Sequence, residues 1–299
     1  MKNIAIIGTS PIMLILANYF CNKKIKVTIF DDSKKIGGAW SYYNFKNNFI
    51  STQTNVIVPD NIFEEKNIPI INSYLKKKFS IKISINKDKF VPLGYLAKTN
   101  YEYKLNSIYK KIQNSKEIKI KKKIINNVES INNYVLINKK NKFDKIFIPT
   151  YCSIDKIKIN KKTYDISPKL IVSEHVMIIA KKIRVKHLAY SERFDHNFDR
   201  AQIKKIKNYN VFTGRVSKEK KGLNVLSLIK DSNLLYSKND LVKVVKTKYK
   251  NYYRDHKQRD YLNKLTTNTN IEYINTALFV ESFFSINDKF KLTKHKYRN

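Results

Sequence analysis

Cysteine is nearly missing. Of 299 residues only Cys21 and Cys152 are cysteines, and they stand far apart. That excludes a disulfide framework and fits a reduced, cytoplasmic setting. Histidine is scarce as well: His175, His187, His196, His256 and His295 show no metal-ligand spacing, so no metal site is expected. No run of about 18 uninterrupted apolar residues exists, which excludes a spanning helix. Lys2 and the apolar run to Phe20 imitate a secretory leader, but Gly8-Thr9-Ser10-Pro11 interrupts it. Acidic residues are the other shortage, 24 against 60 Lys+Arg, for a net charge of +36. Charge of that size points to nucleic acid or an anionic membrane surface. Yet the excess is lysine spread along the chain, with heavy Ile, Asn, Tyr and Phe usage, the residues of AT-rich codons. Arginine, the residue of bidentate phosphate and base contacts, is sparse. The charge therefore predicts a weak, sequence-blind polyanion affinity rather than a specific nucleic-acid partner.

What is present is concentrated in the first forty residues. Asn3 to Ile7 is a continuous apolar run ended by Gly8, as in a buried parallel strand. Thr9, Ser10 and Pro11 make a turn, and Pro11 suits the first position of a helix. Ile12 to Phe20 is apolar all round, and Asn22-Lys23-Lys24 closes the helix. Ile25, Val27, Ile29 and Phe30 form a second strand with Asp31 at its end. Such a βαβ unit commonly holds a dinucleotide at its strand ends. Asp31 lies about twenty residues past the turn, where a carboxylate accepts hydrogen bonds from a ribose hydroxyl and repels a 2′-phosphate.

After Asp31 come five residues and then Gly37-Gly38-Ala39-Trp40. This pattern of strand, acidic residue, spacer and glycine pair resembles the amino terminus of the two-dinucleotide-binding-domain flavoproteins: the amine oxidases, the protoporphyrinogen oxidases and UDP-galactopyranose mutase. Trp40 after the glycine pair is also similar to flavin monooxygenases. The resemblance implies FAD in preference to NAD. Gly8, Thr9, Ser10 and Pro11 would hold the pyrophosphate, Asp31 the ribose, and Gly37, Gly38, Ala39 and Trp40 would pass the flavin-side ribose. It also implies that Val128, just after a strand, meets the adenine end through its backbone. The family turn reads G-x-G-x-x-G, whereas this chain reads Gly8-Thr9-Ser10-Pro11-Ile12-Met13. Two glycines are thus replaced, one by a small hydroxyl residue and one by a long thioether.

The expected fold class is α/β: a Rossmann-like FAD/NAD(P)-binding domain with a second α+β domain built on an antiparallel sheet. The expected division is 1–152 for the dinucleotide domain, with 41–100 as an inserted cap, then 153–270 for a substrate domain, and 271–299 returning to the first. Within the cap, Ile68 to Phe79 reads as a short helix, and Tyr42, Tyr43 and Phe45 read as core or as flavin-facing rings. Ile118 to Ile148 reads as a β meander with hairpin turns at Asn132-Asn133 and Lys140-Asn141. Val211 to Val216 is a strand with Gly214 as a bulge or close-approach point. Leu223 to Leu235 is expected to be helical. A further helix is expected from a cap at Asp240 through Val242, Val245, Tyr249 and Tyr252 to about Leu265.

Two clusters carry alternative chemistry. Asp195, His196, Asp199 and Arg200 suit either proton transfer or a solvated capping loop. Tyr249 to Arg259 interleaves aromatics with cations and suits either single-stranded nucleic acid or an amphipathic helix with a solvated basic face, while Arg215 and Arg254 suit an anionic substrate instead. No catalytic residue is assigned. Three functions stay open: an FAD-dependent oxidoreductase or flavin-containing mutase acting on a small molecule such as an amine or sugar nucleotide, a non-catalytic Rossmann-type protein with a decayed cofactor site, and a basic nucleic-acid binder.

Overall fold

A computed structural model of the chain describes residues 3–32, 36–37, 41–46, 48–51, 56–57, 83–86, 95–99, 111–112, 114–185 and 194–274. The chain opens with β1 (Asn3–Ile7), α1 (Pro11–Asn22) and β2 (Lys26–Asp31). Pro11 stands at the start of the helix. At its end Lys24 takes a left-handed conformation (φ 57°), and the Ile25 N–H reaches back to the Phe20 carbonyl at 3.1 Å. That closes the helix and turns the chain into β2. There follow β3 (Tyr42–Phe45), β4 (Asn48–Ser51), β5 (Val56–Ile57), β6 (Ile83–Asn86) and β7 (Tyr95–Thr99). Next come β8 (Ile118–Lys122), β9 (Asn127–Ile131), β10 (Tyr134–Ile137), β11 (Asn141–Phe143) and β12 (Lys145–Pro149). The second half holds β13 (Lys156–Ile159), β14 (Lys162–Asp165), β15 (Lys169–Ala180), β16 (Phe198–Ile206) and β17 (Tyr209–Val216). It ends with α2 (Val225–Asp231), β18 (Leu241–Tyr253), α3 (His256–Thr266) and β19 (Ile271–Ile274).

The first sheet has the order β19-β12-β1-β2-β8, and every pair in it is parallel. β1 is central and its last four residues are buried, which is why its sequence is an unbroken apolar run. Alternation divides its faces. On one face lies α1, whose Phe20 ring meets Phe147 of β12 at 5.2 Å. On the other, Ala5, Ile7, Phe30, Ile146 and Ile148 share a core with Val128, Val135, Ile157 and Leu262. Those partners come from α3 and from a second, five-stranded sheet of order β11-β10-β9-β13-β14. Three layers thus bury the parallel sheet on both sides. A third sheet, β16-β17-β15-β18, is antiparallel throughout. One of its faces packs with Leu228 and Ile229 of α2. The other carries Met177, Ile179 and Val211 against Ile50 of the β3–β4 hairpin. Gly214 is a close-approach point: an added Cβ would lie 2.7 Å from ring carbons of Phe198 and Phe212.

Several expectations change. The helix from Asp240 to Leu265 is a 13-residue strand followed by a separate helix. The break falls at Asp255, whose carboxylate accepts from the Gln258 N–H, while the Gln258 side chain accepts from the Asp255 N–H. The Leu223–Leu235 helix shortens to α2. The meander loses β8 to the edge of the parallel sheet and β12 to its interior, and the turn after β10 centres on Asn138 and Lys139, both left-handed. β13 and β14 complete the second sheet rather than the third. The helix at Ile68–Phe79 and the residues after Ile274 lie outside the described residues. Among the described residues no helix is long and apolar enough to cross a membrane.

Candidate functional site

The carboxyl ends of β1 and β2 meet at one place. Gly8 follows β1 with φ 81°, a conformation costly for any residue with a Cβ, and its N–H donates to the Phe30 carbonyl at 2.7 Å. Thr9 comes next and is 1% exposed. Its hydroxyl donates to a carboxylate oxygen of Asp31 and accepts from the Gly37 N–H at 2.8 Å. One buried side chain therefore fastens the turn, the end of β2 and the first glycine of the Gly-Gly pair. Gly37 itself has φ 102°. The sequence alone points Thr9 at a phosphate and does not show this clamp. A hydroxyl residue between the two glycine segments is the available signal, but the partner Gly37 is 28 residues away.

Ser10 precedes α1 and makes no side-chain cap, and its buried Oγ has no hydrogen-bond partner. Leu14 N–H already bonds the Ser10 carbonyl. The N–H groups of Ile12 and Met13 belong to the first turn, where no intrahelical acceptor exists. Pro11 opens the helix there. Met13, where the family has a third glycine, has no exposed surface at all. Its side chain is packed in the interior. Gly38, Ala39 and Trp40 lie outside the described residues.

Val128 lies within a strand rather than just after one. It is buried in the core, in the central strand of the second sheet, opposite Ile137 on one side and Ile157 on the other. A main chain held between two strands is committed to its neighbours.

The third sheet approaches the end of β2. Tyr252 of β18 donates its hydroxyl to Asp32 at 2.6 Å, and the Tyr249 hydroxyl lies 3.4 Å from Ser41 Oγ. Burial and the Asp32 carboxylate raise the Tyr252 pKa, so the phenol keeps its proton. Tyr249 shares its face with Ser173, its cross-strand partner, and with His175. His175 Nε2 is 3.2 Å from Ser173 Oγ, which also accepts from Asn251 Nδ2 at 3.2 Å. Burial, then the Arg215 guanidinium, lower the His175 pKa to about 4, leaving a neutral imidazole near pH 7. Tyr43 and Phe45 pack on the core beside Met177 and Ile179.

The other candidates resolve into structure. Asp195 accepts from the N–H groups of Asn197 and Phe198, Asp199 pairs with Arg215 at 2.6 Å, and His196 is exposed. Arg254 is 1% exposed, and its guanidinium donates to the carbonyls of Ile166, Thr150, Cys152 and Ile154. Four main-chain acceptors occupy four of its five N–H groups, so Arg254 fastens β18 to the chain after β12 instead of offering itself to a substrate.

No protein-family model matches the chain, and no curated protein matches it. Solved structures do. A protein assigned as a protoporphyrinogen oxidase from Exiguobacterium sp. 255-15 aligns with TM-score 0.59 at 8% identity, covering 99% of each chain. A redesigned putrescine oxidase aligns with TM-score 0.57 at 7% identity over 96% of this chain and 98% of that one. Reduced UDP-galactopyranose mutase aligns with TM-score 0.52 at 12% identity over 91% and 88%. The likeness is one of architecture: a mixed α/β chain with a parallel sheet and a separate antiparallel sheet. The chain has the fold of the FAD-binding, Rossmann-like oxidoreductases.

Proposed function

We propose that the chain binds FAD at the carboxyl end of its parallel sheet and acts as an FAD-dependent oxidoreductase or flavin-containing mutase on a small molecule. The observation that carries this reading is the buried Ser10 hydroxyl without a partner, at a helix start whose first-turn N–H groups have no intrahelical acceptor. A pyrophosphate oxygen satisfies both. The Asp31 carboxylate, at the end of β2, is the group for the ribose hydroxyls. Gly8 in its left-handed conformation keeps the turn free of a side chain. These residues fit the cofactor's adenine half. FAD supplies hydride chemistry when bound. The chain supplies orientation, and the face bearing Ser173, His175 and Tyr249 supplies polar groups for the substrate.

The absorbance spectrum of the purified protein tests this. Flavin bands are expected, or their appearance after incubation with FAD, and Asp31→Ala is expected to weaken retention by about tenfold or more. A colourless protein that takes up no FAD overturns the reading. The buried Met13 favours one alternative, a non-catalytic scaffold whose site has closed. For that alternative, the wild type stays colourless and Met13→Gly combined with Ser10→Gly gains FAD.

A further inference from the structure

One stretch of the third sheet overhangs. β15 pairs with β18 from Lys169 onward, whereas its pairing with β17 begins at His175. Leu170 and Val172 share one face of this overhang and are 52% and 42% exposed. The loop before α2 comes to the same place. Lys221 Nζ donates to the Val172 carbonyl at 2.9 Å, and the Gly222 N–H donates to Glu174 at 3.2 Å. That loop and the first turn of α2 carry Leu223 and Leu226, 47% and 58% exposed. Aliphatic side chains so exposed and so close together are not the scattered kind found on any surface.

Lysines surround them. Lys250 lies opposite Val172 and Lys248 opposite Glu174. Glu174 is paired with both Lys246, at 3.2 Å, and Lys248, at 2.9 Å. The Glu174 carboxylate is thereby spent, while Lys218, Lys221 and Lys250 stay exposed against the single exposed carboxylate of Glu219 in that loop.

We propose that this face docks on an anionic phospholipid surface, with Leu170, Val172, Leu223 and Leu226 entering the headgroup boundary and Lys221 and Lys250 meeting lipid charges. Aliphatic and cationic groups side by side are what such a surface rewards. A second copy of the chain would bring a like-charged patch from a molecule of net charge +36. Single-stranded nucleic acid needs rings for stacking, and the ring nearest Leu170 across the ladder, Tyr252, is tied to Asp32.

Vesicle flotation at physiological ionic strength tests the proposal, comparing phosphatidylcholine alone with a mixture containing about one third phosphatidylserine. The wild type is expected to float with the anionic vesicles only. Leu223→Asp with Leu226→Asp, and separately Lys221→Glu with Lys250→Glu, are each expected to lower binding by at least about tenfold. Circular dichroism melting checks that each pair folds, and Leu226→Asn alone, expected to weaken binding in the same direction, serves if the double variant does not. Equal binding to neutral vesicles overturns the proposal. So does loss in the lysine pair with none in the leucine variants, which marks plain polyanion adsorption. A wild-type dimer in sedimentation velocity that the leucine variants dissociate also overturns it, and assigns the face to a second copy.

Discussion

Thr9 shows how much one hydroxyl decides at the mouth of the parallel sheet. It accepts from Gly37 and donates to Asp31 while almost fully buried, so it fixes where the glycine pair begins relative to the strand ends. Thr9→Val keeps the shape and removes both bonds, leaving the Gly37 N–H without its hydroxyl acceptor. The expected loss is about 1–3 kcal/mol in urea unfolding, with Thr9→Ser close to wild type. A valine variant within about 0.5 kcal/mol of wild type would show that the clamp carries no stability. Gly8 and Asp31 are legible in the sequence because the strand, turn and acidic residue follow one another at fixed spacing. The Thr9 clamp is not, because a hydrogen bond to a residue 28 positions away depends on where the following loop folds back. Arg254 misleads for the same reason: an arginine among tyrosines looks free until the carbonyls of residues 150, 152, 154 and 166 gather round it.

At the scale of elements, β18 departs furthest from its apparent pattern. Val242, Val245, Tyr249 and Tyr252 suit a helical stripe, yet Lys246, Lys248 and Lys250 alternate with Thr247 and Tyr249 at a period of two. β-branched residues and a long partner strand, β15, decide for the sheet. The parallel unit is legible because its strands are unbroken apolar runs, a pattern that needs no partner to be recognised. β15 also holds a group with a consequence for pH. His175 is 7% exposed and its pKa falls to about 4, chiefly through burial and then through Arg215, with Arg200 adding and Asp199 opposing. The folded chain therefore binds fewer protons than the unfolded one between about pH 6.5 and pH 4, and stability is complete above that window and falls within it. The expected loss is about 3 kcal/mol, and His175→Gln should remove it. Glu174 acts lower. Burial raises its pKa, but Lys248, the Gly222 N–H and Lys246 outweigh that and hold it at about 2, so its contribution is lost only as pH falls from about 4.5 towards 2. Urea midpoints measured across pH separate the two. A His175→Gln protein that loses as much stability as wild type between neutral pH and about pH 4 would contradict the assignment.

For the molecule as a whole, the question is what holds the antiparallel sheet against the parallel one. Tyr252 to Asp32 is the shorter of the two side-chain bonds described from β18 to the stretch of chain that follows β2, 2.6 Å against 3.4 Å for Tyr249 and Ser41. Asp32 follows β2 directly, so the bond ends one residue from Asp31 and any movement of the third sheet pulls on the strand end that the proposed cofactor needs. Its acceptor is a carboxylate, which makes it stronger than a neutral bond. Tyr252→Phe deletes it with little change of volume, and the expected loss is about 1–3 kcal/mol. The chain has one tryptophan, Trp40, three residues after Gly37 in sequence, so its fluorescence is a single-site signal while far-ultraviolet dichroism follows all the strands. With the tie intact, both signals should change together in urea. In Tyr252→Phe both should move to the same lower midpoint if the halves unfold as one unit. A dichroism transition that shifts while the Trp40 transition stays put would show instead that the two sheets are stabilised separately, and that the phenol–carboxylate bond joins them without coupling them.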